Sequence, residues 1–146
     1  MTLAKRDGYW YGTTAADAQA ELARYARANG YPATRSRSCA CVCGHDTFRL
    51  ESDEDAGVAK RTCAACGVAA WMGDSAAYAA EAHVEAHECV CDADVFELTC
   101  GVSLYAGSND VRWFYIGCRC VRCQLVGVFA DWKCEAGDAD AFLAST

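Results

Sequence analysis

Long apolar runs are missing from this sequence, and their absence excludes some classes of protein. No stretch approaches the roughly 18 to 20 apolar residues that a membrane-spanning helix needs, so we expect no membrane association. The first twelve residues contain Lys5 and Arg6 but neither an apolar core nor a cleavage site, which argues against a signal peptide. We therefore expect a cytoplasmic protein, where paired cysteines are metal ligands rather than disulfides.

Basic residues are also few, since 13 Lys and Arg stand against 20 Asp and Glu, a net charge of −7. A chain of this charge repels phosphate, and it favours a neutral or basic protein partner over nucleic acid. A local basic face built from Arg24, Arg27, Arg35 and Arg37 keeps nucleic-acid binding open as an alternative.

Catalytic motifs are a third absence. The sequence contains no HExxH motif, no phosphate-binding loop and no recognisable pairing of a nucleophile with a base. We predict that the protein is not an enzyme.

Cysteine, in contrast, is abundant: the chain has 12 in 146 residues. Eight of them form two copies of one pattern, a CxC pair followed by a CxxC pair. The first copy is Cys41, Cys43, Cys63 and Cys66, and the second is Cys89, Cys91, Cys120 and Cys123. Four thiolates complete a tetrahedral sphere and leave no position for water, so we predict two structural Zn²⁺ sites. Iron remains open, because a four-cysteine site accepts both metals.

The similarity of the two copies extends beyond the ligands. Phe48 and Leu50 follow the first CxC at the same distances as Phe96 and Leu98 follow the second, which predicts an internal duplication. The same shift aligns Cys39 with His87, two residues before each CxC, and either could be an alternate ligand. His83 and His87 are spaced to grip a metal from one face of a helix, although a solvated face is the simpler interpretation. Cys100 and Cys118 fall on the apolar side of a predicted hairpin, where packing explains them.

The element pattern predicts an α+β protein with five parts. These are an N-terminal helical segment (1–38, with the helix at 15–28), a metal module (39–74), a linker helix (75–88), a second metal module (89–134) and a C-terminal tail (135–146). Each module is expected to be a three-stranded antiparallel sheet. The linker is Ala-rich, and Asp74 and Ser75 can cap its first turn.

The CxC and CxxC turns, which we call knuckles, resemble those of zinc ribbons. Residues 30–133 as a whole resemble a tandem double zinc ribbon. The similarity rests on CxCGxxxFxL, on RTCxxCG followed by GDS, and on DVRWFYIGCRCxxC followed by GVFADWK. These stretches, in an Ala-rich and Lys-poor chain, are similar to small actinobacterial proteins with CxC and CxxC pairs. A more distant resemblance is to redox-regulated chaperones. The resemblance implies the ribbon fold and zinc, and it brings no activity with it.

Three functions follow from these observations. The first is a non-enzymatic zinc protein that binds another protein, as an adaptor or as an immunity or antitoxin-type factor. The second is a ribbon that binds nucleic acid or the transcription machinery, and the third is a switch in which oxidation ejects zinc. The sequence indicates no oligomeric state.

Overall fold

The computed structural model describes residues 3–146, which form one antiparallel sheet of ten strands and two α-helices. Met1 and Thr2, part of the predicted N-terminal segment, lie outside the described residues. The strands are β1 (Ala4–Arg6), β2 (Tyr9–Tyr11), β3 (Arg35–Ser38), β4 (Thr47–Asp53), β5 (Val58–Cys63), β6 (Ala69–Trp71), β7 (Glu85–Ala86), β8 (Phe96–Leu104), β9 (Val111–Cys120) and β10 (Leu125–Lys133). The helices are α1 (Ala15–Ala28) and α2 (Ala139–Ala144).

The strand order corrects the predicted fold class. The sheet runs β1-β2-β10-β9-β8-β4-β5-β6, with β3 paired to β8 and β7 paired to β4. Two meanders, β4–β6 and β8–β10, do form where two modules were expected. They are joined edge to edge, because Thr47 and Phe48 of β4 pair with Glu97 and Phe96 of β8. The prediction of two separate three-stranded modules connected by a helix was therefore wrong.

The linker between the meanders is not a helix. It makes two short 3₁₀ turns, Ser75–Ala77 and Ala79–Glu81, and then the strand β7. The Ser75 side chain is fully buried, and its Oγ accepts a hydrogen bond of 2.9 Å from the Ala59 N–H of β5. Farther on, the His83 N–H donates to the Asp53 carboxylate at 3.0 Å. These tertiary bonds override the helix propensity of the alanines.

The N-terminal segment contains the predicted helix and also strands that the sequence did not suggest. Helix α1 occupies Ala15–Ala28, as predicted. It packs on β8, β9 and β10, where Leu22 lies against Gly101 and Gly117. Strands β1 and β2 extend the sheet beyond β10, and β3 pairs with β8.

The pairing between the two halves follows a local two-fold symmetry. Phe48 pairs with Phe96, its counterpart in the sequence repeat. In the same way Arg37 of β3 pairs with Cys100 of β8, and Glu85 of β7 pairs with Ser52 of β4; a shift of 48 positions exchanges one pair for the other. In each half, the short strand before the CxC pair (β3 or β7) therefore pairs with the hairpin of the other half. We call β3 and β7 the lead-in strands.

The apolar core lies on the side of the sheet opposite α1 and receives alternate residues of the long hairpin. Phe96, Leu98, Cys100 and Val102 of β8 are all buried there. Cys100 pairs with Ile116 in the body of the hairpin, and the register changes only at Leu104, beside the turn, through a bulge. Helix α2 covers this core with Phe142 and Leu143. No helix within residues 3–146 is both long and apolar enough to cross a membrane.

Candidate metal centres

The structure brings the first four predicted ligands together in a group that we name tetrad 1. Cys41 Sγ lies 3.6 Å from Cys66 Sγ, and Cys43 Sγ lies 3.7 Å from Cys63 Sγ. All four sulfur atoms are within 4.8 Å of one another. A zinc ion bound at about 2.3 Å by four sulfurs would space them about 3.8 Å apart. The donor set and its dimensions therefore fit a tetrahedral metal ion.

The remaining four predicted ligands form tetrad 2 with similar dimensions. Cys89 Sγ is 3.5 Å from Cys123 Sγ, and Cys91 Sγ is 3.6 Å from Cys120 Sγ. These four sulfurs also lie within 4.8 Å of one another. The two tetrads could hold two metal ions.

Each tetrad is built from two tight backbone turns. In the first CxC, Cys41 N–H donates to His45 C=O at 2.8 Å and Gly44 N–H donates to Cys41 C=O at 2.9 Å. The second CxC repeats both bonds at the shifted positions, at 2.8 and 2.9 Å. All four turns place one residue at positive φ: Gly44, Gly67, Asp92 and Gln124. Glycine reaches this region without strain, so the two turns of tetrad 1 have the less strained sequence.

Backbone N–H groups aimed at the sulfurs favour the thiolate that a metal needs. Hydrogen bonds from the Cys66 and Ala65 N–H groups lower the pKa of Cys63 to about 6, although burial opposes them. The Ala93 N–H similarly lowers the pKa of Cys91 to about 7. Burial raises the pKa of Cys89 to about 12, so this thiol depends on a bound cation to lose its proton.

The tetrads differ in exposure to solvent. Cys43 and Cys66 of tetrad 1 are exposed, whereas each cysteine of tetrad 2 is buried or half-buried. Arg122 lies beside tetrad 2 and donates to the Cys91 carbonyl at 3.3 Å. Arg119, which precedes Cys120 in the chain, forms an ion pair with Glu97.

The other predicted candidates do not join either tetrad. Cys39 Sγ lies 3.7 Å from Cys100 Sγ, and His87 Nε2 lies 2.6 Å from Ser52 Oγ. His83 and His87 do not share a helix face, since no helix forms there; both line a cavity of about 560 Å³. Its remaining lining residues are Ser52, Asp53, Glu54, Asp55, Glu85 and Ala86.

The sequence did not reveal the contact between Cys39 and Cys100. The two residues are 61 positions apart and meet through the pairing of β3 with β8. The repeat gives no signal for this contact, because it aligns Cys39 with His87 and Cys100 with Ser52 without indicating that either pair meets.

Comparisons with known proteins found no matching family model, no matching curated protein and no matching solved structure. The geometry of the two tetrads therefore carries the functional argument.

Proposed function

We propose that this chain is a non-enzymatic zinc protein, with one structural Zn²⁺ in each tetrad. The supporting observation is the set of sulfur separations, 3.5 to 3.7 Å, which match the edges of a tetrahedral four-sulfur site. Four cysteines fill the sphere and leave no place for a reacting water. The recurring registers also support descent of the chain from a duplicated single-site unit.

Native mass spectrometry of protein purified without added metal tests this proposal. We expect two zinc ions in the wild type, one in C63S, one in C120S, and two in the control C134S, which changes a buried cysteine outside both tetrads. Two metals retained in C63S or C120S would contradict the assignment of ligands. Iron in place of zinc would show as strong visible absorption and would overturn the choice of metal.

We propose further that the knuckles dock a basic protein partner. Four of the six exposed large hydrophobic residues among residues 3–146 are valines in or beside the knuckles: Val42 (98% exposed), Val68, Val90 and Val121. Each of the four turns thus presents one exposed valine, and apolar surface at these turns supports protein binding there. Each Zn(Cys)₄ centre also carries a charge of about −2, which adds to the net −7 and favours a basic partner.

Affinity purification from native lysate, with matched variants, tests the docking proposal. We expect a basic protein to co-purify stoichiometrically with the wild type and to be lost from V42D/V90D. It should remain with Y78D, which changes an exposed aromatic residue away from the knuckles. No stoichiometric partner, or equal recovery with V42D/V90D, would refute docking through the valines.

The nucleic-acid alternative receives less support from the arginines proposed for it. Arg24 forms an ion pair with Glu21 at 2.5 Å, and Arg35 forms one with Asp140 at 2.6 Å. Arg37 donates to the Leu143 carbonyl at 3.1 Å. Two of the four side chains are thus paired with carboxylates, which lowers the positive charge that a phosphate would meet.

A further inference from the structure

A pair of thiols lies in contact outside both tetrads. Cys39 directly follows β3, and Cys100 lies in β8, the strand to which β3 is paired. Their sulfur atoms are 3.7 Å apart, and both residues are buried. Neither thiol belongs to the sets that could hold the two metal ions. The pair therefore needs an explanation of its own.

The local two-fold symmetry shows what the fold requires at this place. The shift that relates the halves exchanges Cys39 and Cys100 for His87 and Ser52. The backbone is equivalent at both places: Cys39 N–H donates to Leu98 C=O, and His87 N–H donates to Leu50 C=O, each at 2.9 Å. His87 and Ser52 fill their place with a hydrogen bond of 2.6 Å. Because a polar pair serves in one half, packing alone does not explain two sulfurs in the other.

Access to the thiols depends on the short strand that leads to Cys39 and pairs with β8. Strand β3 has four residues, and Ser36, Arg37 and Ser38 are exposed to solvent. A short, exposed strand with one partner opens locally at a lower free energy than the centre of the sheet. A small oxidant can therefore reach Cys39 while the rest of the sheet stays folded.

We infer that Cys39 and Cys100 form a reversible disulfide, separate from the metal chemistry of the tetrads. With a peroxide as the oxidant, the Cys39 sulfur attacks one peroxide oxygen; the O–O bond breaks, and water or an alcohol leaves. The resulting sulfenic acid is attacked by the Cys100 sulfur, an S–S bond forms, and water leaves with the thiol proton. A dithiol reductant reverses the change through a mixed disulfide. The reductant supplies two electrons and becomes a disulfide itself, and both protein thiols are restored.

The bond would tie β3 of one half to β8 of the other. Since Cys39 is two residues before Cys41, the disulfide would also anchor the chain where it enters tetrad 1. Oxidation would therefore stabilise the exchanged strand, whereas oxidation of the tetrads would release metal. These opposite effects separate the inference from a zinc-ejecting switch.

The test treats the metal-loaded full-length protein with hydrogen peroxide in increasing equivalents. We expect the first oxidised species to be about 2 Da lighter, to keep both metals, and to yield a Cys39–Cys100 crosslinked peptide after digestion. Its thermal midpoint should rise above that of the reduced protein, and dithiothreitol should return the original mass and midpoint. Loss of metal before the crosslink appears, or a first disulfide between other cysteines, would overturn the inference.

Variants separate this chemistry from general oxidation. C100S should lose the crosslink and accumulate a Cys39 sulfenic acid that dimedone traps, whereas C134S should form the crosslink as the wild type does. Because a single substitution in the core can prevent folding, the double variant C39H/C100S installs the pair found in the other half. We expect C39H/C100S to fold, to hold two metals and to show no early loss of 2 Da. The same loss in C39H/C100S would refute the assignment.

Discussion

Two glycines in the middle of the sheet allow α1 to lie against it. A Cβ at Gly101 would stand 2.6 Å from Leu22 Cδ2 and 3.2 Å from Ala33 Cβ, and one at Gly117 would stand 2.9 Å from Thr99 Cγ2. In the other half, Asp53 corresponds to Gly101, and Lys60 corresponds to Gly117, since each lies three residues before the first cysteine of its CxxC pair. No α-helix of residues 3–146 covers Asp53 and Lys60. The glycines thus mark the meander that receives the helix.

We expect G101A to destabilise the protein by about 1 to 3 kcal/mol, because the added methyl overpacks the contact with Leu22. Chemical denaturation of the metal-loaded protein measures the change. G127A is the matched control, since a Cβ there meets its nearest atom at 3.5 Å, an ordinary contact. A loss in G127A as large as in G101A would show that strand glycines matter for another reason.

The tetrads could be predicted at the level of residues, while the contact of Cys39 with Cys100 could not. Ligand spacing is local: a CxC or CxxC turn brings two sulfurs together whatever surrounds it, and charge and coordination then require two such turns to converge. Cys39 and Cys100 meet through strand pairing that their own neighbours do not specify. Strand β3, with the sequence Arg-Ser-Arg-Ser, has no apolar alternation to announce it.

Among the elements, those delimited by local signals were predicted well. Helix α1 lies between Thr14 and Asn29-Gly30, and the hairpins lie around glycine-containing turns. The join between β4 and β8 and the exchange of β3 and β7 were missed, because pairings of only two to four residues leave no pattern in a sequence. The 75–88 segment was misread for the opposite reason: its alanines favour a helix, and pairing with β4 overrides them.

Helix α1 begins with a carboxylate that holds the chain entering it. Asp17 is buried, and its Oδ2 accepts from the N–H groups of Thr13 at 2.9 Å and Thr14 at 3.2 Å. We expect D17A to lose about 1 to 2 kcal/mol, because these donors would lose their acceptor. Thermal unfolding followed by circular dichroism checks the loss. Q19A, which removes an exposed hydrogen bond to Ser38 from the same helix, should change stability little; an equal loss in both variants would contradict the role of the cap.

For the whole molecule, the unequal exposure of the tetrads predicts that the two metals leave at different rates. A chelator reaches the exposed Cys43 and Cys66 directly, while tetrad 2 has no fully exposed sulfur among its four. We expect biphasic release to a coloured chelator, with the fast phase missing in C63S and the slow phase missing in C120S. A single phase in the wild type, or fast release from the site that remains in C63S, would contradict this order.

Exchange of the lead-in strands makes the two halves one cooperative unit. Strand β3 comes from the half that holds tetrad 1 and pairs with β8, while β7 precedes tetrad 2 and pairs with β4. Neither half can unfold without removing a strand from the other, so we expect one calorimetric transition for the metal-loaded protein, with equal calorimetric and van't Hoff enthalpies. C63S should lower the midpoint of that whole transition. Loss of the metal at tetrad 1 would loosen β4, which pairs with both β8 and β7 of the other half. Two transitions, one unchanged in C63S, are what independent ribbons would give, and they would contradict the continuous sheet as the unit of stability.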